Sequence, residues 1–248
     1  MEMKLSGNTI LITGGSSGIG LEMTKQFRAL NNTVIICGRN QETLLQAQRQ
    51  FPGIHIYTCD LSIANDRIKL LTWLAAHHPQ LNILINNAAI VHRENFTTDP
   101  AAYDKAVKEI ETNLIAPIHL IHLLLPIIIV QPNPAIINIS TGLVYTPRTL
   151  YPIYNATKSA LHSFTKVLRA QIKPNPTEII EVLFPVVNTP WHKGSAPDIA
   201  IQPAHAVEKM MRGLEKKQKE IRVGAVQLLY FLHRIAPRFA FRKINQLR

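Results

Sequence analysis

Asn8 to Ile12 is a short apolar run that empties into Thr13-Gly14-Gly15-Ser16-Ser17-Gly18-Ile19-Gly20. The chain then turns helical, with Ile19, Met23, Phe27 and Leu30 recurring on one face. Strand, glycine turn and helix in this order aim backbone N–H groups and the positive end of a helix dipole at one point, which is how a phosphate is held. Glycine lets the backbone approach such a ligand with no Cβ in the way. The spacing is Gly-x-x-x-Gly-x-Gly rather than the commoner Gly-x-Gly-x-x-Gly, and the mechanism is the same. A tight strand–helix turn with no ligand is the plainer reading.

The same alternation continues. Apolar strands are predicted at Thr33–Cys37, Ile54–Thr58, Asn82–Ile85, Ala135–Ile139, Glu178–Phe184 and Glu220–Gly224, with helical patterns between them. This predicts an α/β fold: a doubly wound, Rossmann-type parallel sheet flanked by helices. Residues 1–224 form one nucleotide-binding and catalytic domain in this reading, and 225–248 a basic, apolar C-terminal extension. In such a fold the end of the second strand faces the adenosine ribose, where an acid selects a 2′-hydroxyl and an arginine a 2′-phosphate. Gly38-Arg39-Asn40 stands there, so Arg39 favours NADP over NAD. Asp60, after the third strand, is placed to bond an adenine amino group, to cap the helix that starts near Ser62, or to do both. Asn86-Asn87-Ala88-Ala89 ends the fourth strand, where small residues admit a ring and paired amides brace neighbouring strands.

The helical stretch Ala101 to about Val130 contains Pro117, which has no N–H for the Asn113 carbonyl, so a kink is expected there. His119 and His122 lie three apart with no acid or cysteine beside them, and no metal site is predicted. Ser140 ends the fifth strand. Tyr154 and Lys158 then stack one turn apart on a helix from Pro152 to about Ile172, which Pro174 helps to end. A phenol, an ammonium and a second hydroxyl suit proton transfer to a carbonyl oxygen. The irregular stretch Val186–Pro203 reads as a lid or binding loop.

Charge is uneven. Residues 212–248 hold ten Lys/Arg and two acids, against seventeen and fourteen in the rest of a chain of net charge +11. Ala225–Ile235 is apolar nearly all round and leads into Pro237-Arg238-Phe239-Ala240-Phe241-Arg242-Lys243. Three readings stand: packing on the body or a second subunit, peripheral contact with an anionic membrane, or a frayed tail. No nucleic-acid partner is indicated. Two isolated cysteines, Cys37 and Cys59, and a first segment without an apolar core point to a cytoplasmic protein. The uninterrupted apolar runs are too short to span a bilayer.

Thr13-Gly14-x-x-x-Gly18-Ile19-Gly20, Asn86-Asn87-Ala88, Asn113, Ser140 and Tyr154-x-x-x-Lys158 together resemble the classical short-chain dehydrogenase/reductase family from end to end. Cys37-Gly38-Arg39, Tyr151-Pro152-Ile153-Tyr154 and the basic tail are most similar to its DltE-like oxidoreductases. The resemblance implies that Gly14, Ser16, Ser17, Gly18, Ile19 and Gly20 hold a pyrophosphate. It places Asp60 and Leu61 at adenine, Asn87 and Ala88 at a ribose, and Val187 and Thr189 at the nicotinamide end. Ser140 orients a substrate carbonyl, and Tyr154 is the general acid or base. Lys158 bonds the ribose and lowers the tyrosine pKa. The Asn113 carbonyl holds a water against Lys158 in a proton relay. Ala89 and Val186 stand where the family commonly has glycine. Relatives are often homodimers or homotetramers built through the helices from about Ala101 and Pro152. The expected activity is NADP-dependent interconversion of a carbonyl and a hydroxyl group on a small molecule. The rival class is a nucleotide-bound sensor or scaffold with little turnover, which has no need of the full Asn113, Ser140, Tyr154 and Lys158 set.

Overall fold

A computed structural model describes residues 4–173 and 175–246; Pro174 and the last two residues of the extension lie outside them. Seven strands, β1 (Thr9–Thr13), β2 (Thr33–Gly38), β3 (His55–Thr58), β4 (Ile83–Asn86), β5 (Ala135–Thr141), β6 (Glu178–Phe184) and β7 (Glu220–Arg222), form one sheet in the order β3-β2-β1-β4-β5-β6-β7. All neighbours are parallel. Every residue of β1, β4 and β5 is buried. That is why these strands read as continuous apolar runs rather than alternating ones.

The helices α1 (Gly18–Ala29), α2 (Gln41–Gln50), α3 (Ala64–His77), α4 (Ala102–Ile110), α5 (Ala116–Ile128), α6 (Pro152–Gln171) and α7 (Pro203–Glu215) cover both faces. One face packs Met23, Phe27 and Met210 on Ile10, Ile12 and Val182; the other packs Leu74, Leu120 and Leu124 on Leu11, Leu84 and Ile136. Each such side chain contributes roughly 1.5–3 kcal/mol by leaving water. The chain crosses from β3 back to β4 on the far side of β1. At that reversal the loops after β1 and β4 part, and a crevice opens at the carboxyl ends of the strands.

Polar ties hold the strand ends in register. The Asn86 amide donates to Asn138 Oδ1 at 2.9 Å, and Asn138 donates to Thr165 Oγ1 at 2.8 Å. The expected kink at Pro117 is a single wide π turn, Glu111–Ile115, set between α4 and α5. The widening accommodates a proline that offers the Asn113 carbonyl no N–H. Helix thus continues from Ala102 to Ile128, and by length and composition alone this run is long and apolar enough to cross a membrane. The length comes from joined helices and not from one uninterrupted apolar run. Leu120, Leu124 and Ile128 are nevertheless buried in the core of the fold.

The stretch Val186–Pro203 is less irregular than expected. Ile201 donates to the Val186 carbonyl and accepts from Asn188 N–H, which closes the loop on itself. The described part of the extension is two helices that break at Ala236: α8 (Val226–Ile235) and α9 (Pro237–Gln246). Pro237 opens α9, the position where its missing N–H costs nothing.

Candidate active site

A cleft of about 850 Å³ lies over the carboxyl ends of β1, β4, β5 and β6. Gly14, Ser16, Ser17, Gly18, Ile19 and Gly20 line its floor. Gly14 has φ +65°, a left-handed conformation that glycine adopts freely. A Cβ on Gly20 would stand 2.1 Å from the Gly14 carbonyl oxygen and 2.7 Å from Asn87 Nδ2. The turn is therefore closed on itself more tightly than any side chain permits. Asn87 braces it, donating from Nδ2 to the Thr13 and Gly14 carbonyls at 2.8 and 3.3 Å. The Asn87 and Ala88 amides both donate to Thr13 Oγ1 at 2.9 Å. Ala89 is outside the left-handed region, so its extra methyl is accommodated.

Arg39 lines the cleft beyond this turn and makes no salt bridge among the described residues. Ser16 Oγ and Thr43 Oγ1 lie 3.2 Å apart beside it. Asp60 and Leu61 line the same end. Asp60 Oδ1 accepts from the Ser62 amide and hydroxyl at 2.9 and 2.7 Å. It closes the turn before α3 rather than capping α3, whose N-cap is Ile63.

Ser140, Tyr154 and Lys158 line the opposite part of the cleft. Ser140 is buried, and its hydroxyl has no hydrogen-bond partner among the described residues. Lys158 Nζ donates to the Ile139 carbonyl at 2.9 Å and stands 5.9 Å from the centre of the Tyr154 ring. Burial lowers the Lys158 pKa to about 8, opposed by the charge of Glu181. Burial also pushes the Tyr154 phenol well above its usual range; the Glu109 charge adds to the rise, and a hydrogen bond with Thr141 opposes it. The sequence reading had Lys158 lowering that pKa. In the folded chain burial is the largest influence on that pKa and acts in the other direction, which favours the phenol.

Asn113 is the one site residue from the sequence reading that does not line the cleft. Its side chain clasps Ile90, accepting from its N–H and donating to its carbonyl, both at 2.8 Å. Ile90 itself lines the cleft. His119, one of the two histidines noted on this helix, accepts from Arg67 Nε at 2.9 Å.

Val187 and Thr189 reach the cleft from the loop after β6. The sequence reading did not anticipate the rest of that wall, where Leu228, Leu229 and Leu232 of α8 and Ile244 of α9 join Leu143 and Tyr151 in lining the cleft. The apolar run Ala225–Ile235 was the available signal, but nothing in its spacing says which surface it meets. Glu109 was missed as well. It is fully buried, its Oε1 accepts from His92 N–H at 2.8 Å, and its Oε2 has no partner among the described residues.

A model of the short chain dehydrogenase family matches residues 8–200. The chain belongs to the short-chain dehydrogenase/reductase family. Its members are NAD(P)-dependent oxidoreductases, and the glycine cradle and the cleft above it fit such a dinucleotide. The oxidoreductase DltE of Bacillus subtilis is 39% identical over 224 residues, covering 88% of this chain and 89% of that one. A protein of Acinetobacter baylyi named fatty acyl-CoA reductase is 29% identical over 94% of this chain and 81% of its own length. Among solved structures, a short chain dehydrogenase from Burkholderia cenocepacia in complex with NADP superposes with a TM-score of 0.85, covering 98% and 99% of the two chains at 21% identity. That likeness is one of fold.

Proposed function

We propose that this protein is an NADP(H)-dependent reductase that interconverts a carbonyl and a hydroxyl group on a substrate with an apolar chain. One observation carries the reading: Ser140, Tyr154 and Lys158 line one part of a cleft whose other end is a glycine cradle flanked by Arg39. The nicotinamide, when bound, supplies or accepts the hydride. Tyr154, kept as a phenol by burial, donates its proton to the carbonyl oxygen. The Ser140 hydroxyl, with no other partner among the described residues, donates a hydrogen bond to the same oxygen and orients it. Lys158 carries its charge below about pH 8 and steadies the phenolate that remains. Asn113 acts as a positioning residue through Ile90.

Gly14, Ser16, Ser17, Gly18, Ile19 and Gly20 would hold the pyrophosphate, with Asp60 and Leu61 at adenine and Asn87 and Ala88 at a ribose. Val187 and Thr189 would meet the nicotinamide end. No carboxylate stands at Gly38-Arg39-Asn40, so Arg39 with the Ser16 and Thr43 hydroxyls favours a 2′-phosphate and hence NADP. The apolar wall from α8 supports a substrate with a hydrocarbon chain, as does the name of the Acinetobacter relative. An exposed stripe on α4, Tyr103, Val107 and Ile110, supports a homo-oligomer built through α4 and α6.

A turnover screen with NADPH against aldehydes and ketones of graded chain length tests the reading. Tyr154→Phe is expected to lower turnover at least about 100-fold, the usual contribution of a positioned acid, with NADPH binding by fluorescence unchanged. Undiminished turnover in that variant would refute the mechanism. Arg39→Ala is expected to weaken NADPH far more than NADH; equal losses in titration would refute the cofactor preference.

A further inference from the structure

The apolar wall of the cleft does not stop at its mouth. Trp191, Ile199 and Leu228 line the cleft and are also exposed, Leu228 by 61%. Leu228, Phe231 and Ile235 recur three and four residues apart on α8, a spacing that sets them along one helix face. Phe231 is 50% and Ile235 82% exposed. An apolar stripe of this kind on a surface helix is ordinarily covered by something.

The charge beside it says what covers it. Residues 225–248 hold five Lys/Arg and no acid. Arg238 and Arg242 lie one turn apart on α9, both exposed, and neither makes a salt bridge among the described residues. Arg234 is drawn instead over the Tyr230 ring at 4.5 Å. Two copies meeting through this surface would set like charge against like, because a two-fold contact pairs each patch with itself. An anionic bilayer satisfies both halves: its headgroups take the arginines and its acyl region takes the apolar stripe.

We propose that α8 and α9 form a docking surface for an anionic membrane, and that the apolar carbonyl substrate passes from the bilayer over Leu228 into the cleft. The second half rests on the reductase reading above; the first does not. Docking through these helices sets the apolar rim at the lipid surface. A hydrocarbon chain then enters the cleft without crossing water, and the cofactor cradle at the opposite end stays open to solvent.

Flotation of the full chain with vesicles of phosphatidylcholine, and of equal parts phosphatidylglycerol and phosphatidylcholine, tests the docking. The protein is expected to float with the anionic vesicles alone and to be released by salt. Arg238→Glu with Arg242→Glu, and separately Phe231→Asp with Ile235→Asp, are each expected to weaken binding about tenfold or more. Absence of the full chain from both floating fractions overturns the proposal, as does binding that survives both double variants. So does a Phe231→Asp, Ile235→Asp chain that sediments as a smaller oligomer than the unaltered one, which makes a second copy the occupant. Turnover separates the two halves. Both variants are expected to reduce a short, water-soluble aldehyde at the unaltered rate, and a long-chain aldehyde carried in anionic vesicles about tenfold more slowly. Equal rates on the vesicle-borne substrate overturn lateral entry. Vesicle binding by a chain that reduces neither aldehyde overturns the reductase reading and leaves the docking supported.

Discussion

Tyr154 and Lys158 were legible as a pair because four-residue spacing on a helix needs no other part of the chain. What was not legible was the field around them, which comes from acids far away in sequence. Glu109 and Glu181 are both fully buried. The first raises the Tyr154 pKa after burial has already done so, and the second partly restores that of Lys158. Nothing local marks either acid, since Glu109 finds its partner His92 seventeen residues earlier and Glu181 binds His162 Nδ1 at 2.7 Å across to α6. The consequence for direction has a sign. Proton donation needs the phenol, which a raised pKa keeps; alcohol oxidation needs the phenolate, which it withholds. Glu109→Gln removes the charge but keeps an oxygen for the His92 amide. The Tyr154 pKa then falls, and the rising limb of the oxidative pH–rate profile moves to lower pH. An unmoved limb would show that burial alone sets the phenol.

At the scale of elements, the glycine turn and its helix were predicted almost to the residue, and the reason is steric. Gly14 and Gly20 approach each other so closely that few sequences can make the turn. Strand positions followed for a related reason: strands buried on both faces are short apolar runs with little freedom of register. The π turn was only half visible, because Pro117 marks a broken hydrogen bond but not how the helix absorbs it. The extension was the least legible, since an apolar helix gives no sign of the surface it meets. Gly20→Ala tests the turn directly. Its methyl would lie 2.1 Å from the Gly14 carbonyl oxygen, so the turn must open. Overpacking of this kind costs ~1–3 kcal/mol. Expressed as cofactor affinity, the upper end is about 100-fold. NADPH titration of the purified variant is expected to show a loss toward that limit, with its circular dichroism spectrum preserved. Unchanged affinity would mean that the cradle is not where the pyrophosphate binds.

The whole molecule joins a deeply buried body to a short extension with little buried surface, and the cleft is lined by both. β1, β4 and β5 are buried from end to end, whereas α8 buries only Val226 among its residues and α9 only Ala240. A few contacts hold the extension: Tyr230 packs edge-on to Tyr145 at 5.1 Å and under Arg222 at 3.6 Å. At the other end Asn245 accepts from the Thr149 amide at 2.7 Å and donates to the Pro147 carbonyl at 3.2 Å. Segments with little buried apolar surface open locally, well below the free energy of global unfolding. Opening α8 and α9 would carry the apolar wall away from the cleft while leaving the glycine turn and the Ser140–Tyr154–Lys158 end in place. Amide exchange measured by mass spectrometry is therefore expected to be at least about 100-fold faster in α8 and α9 than in the central strands, equivalent to an opening cost lower by ~2.7 kcal/mol. Protection of α8 equal to that of β5 would sink the idea. It would mean that the wall is part of the rigid body, and that substrates enter a cleft of fixed width.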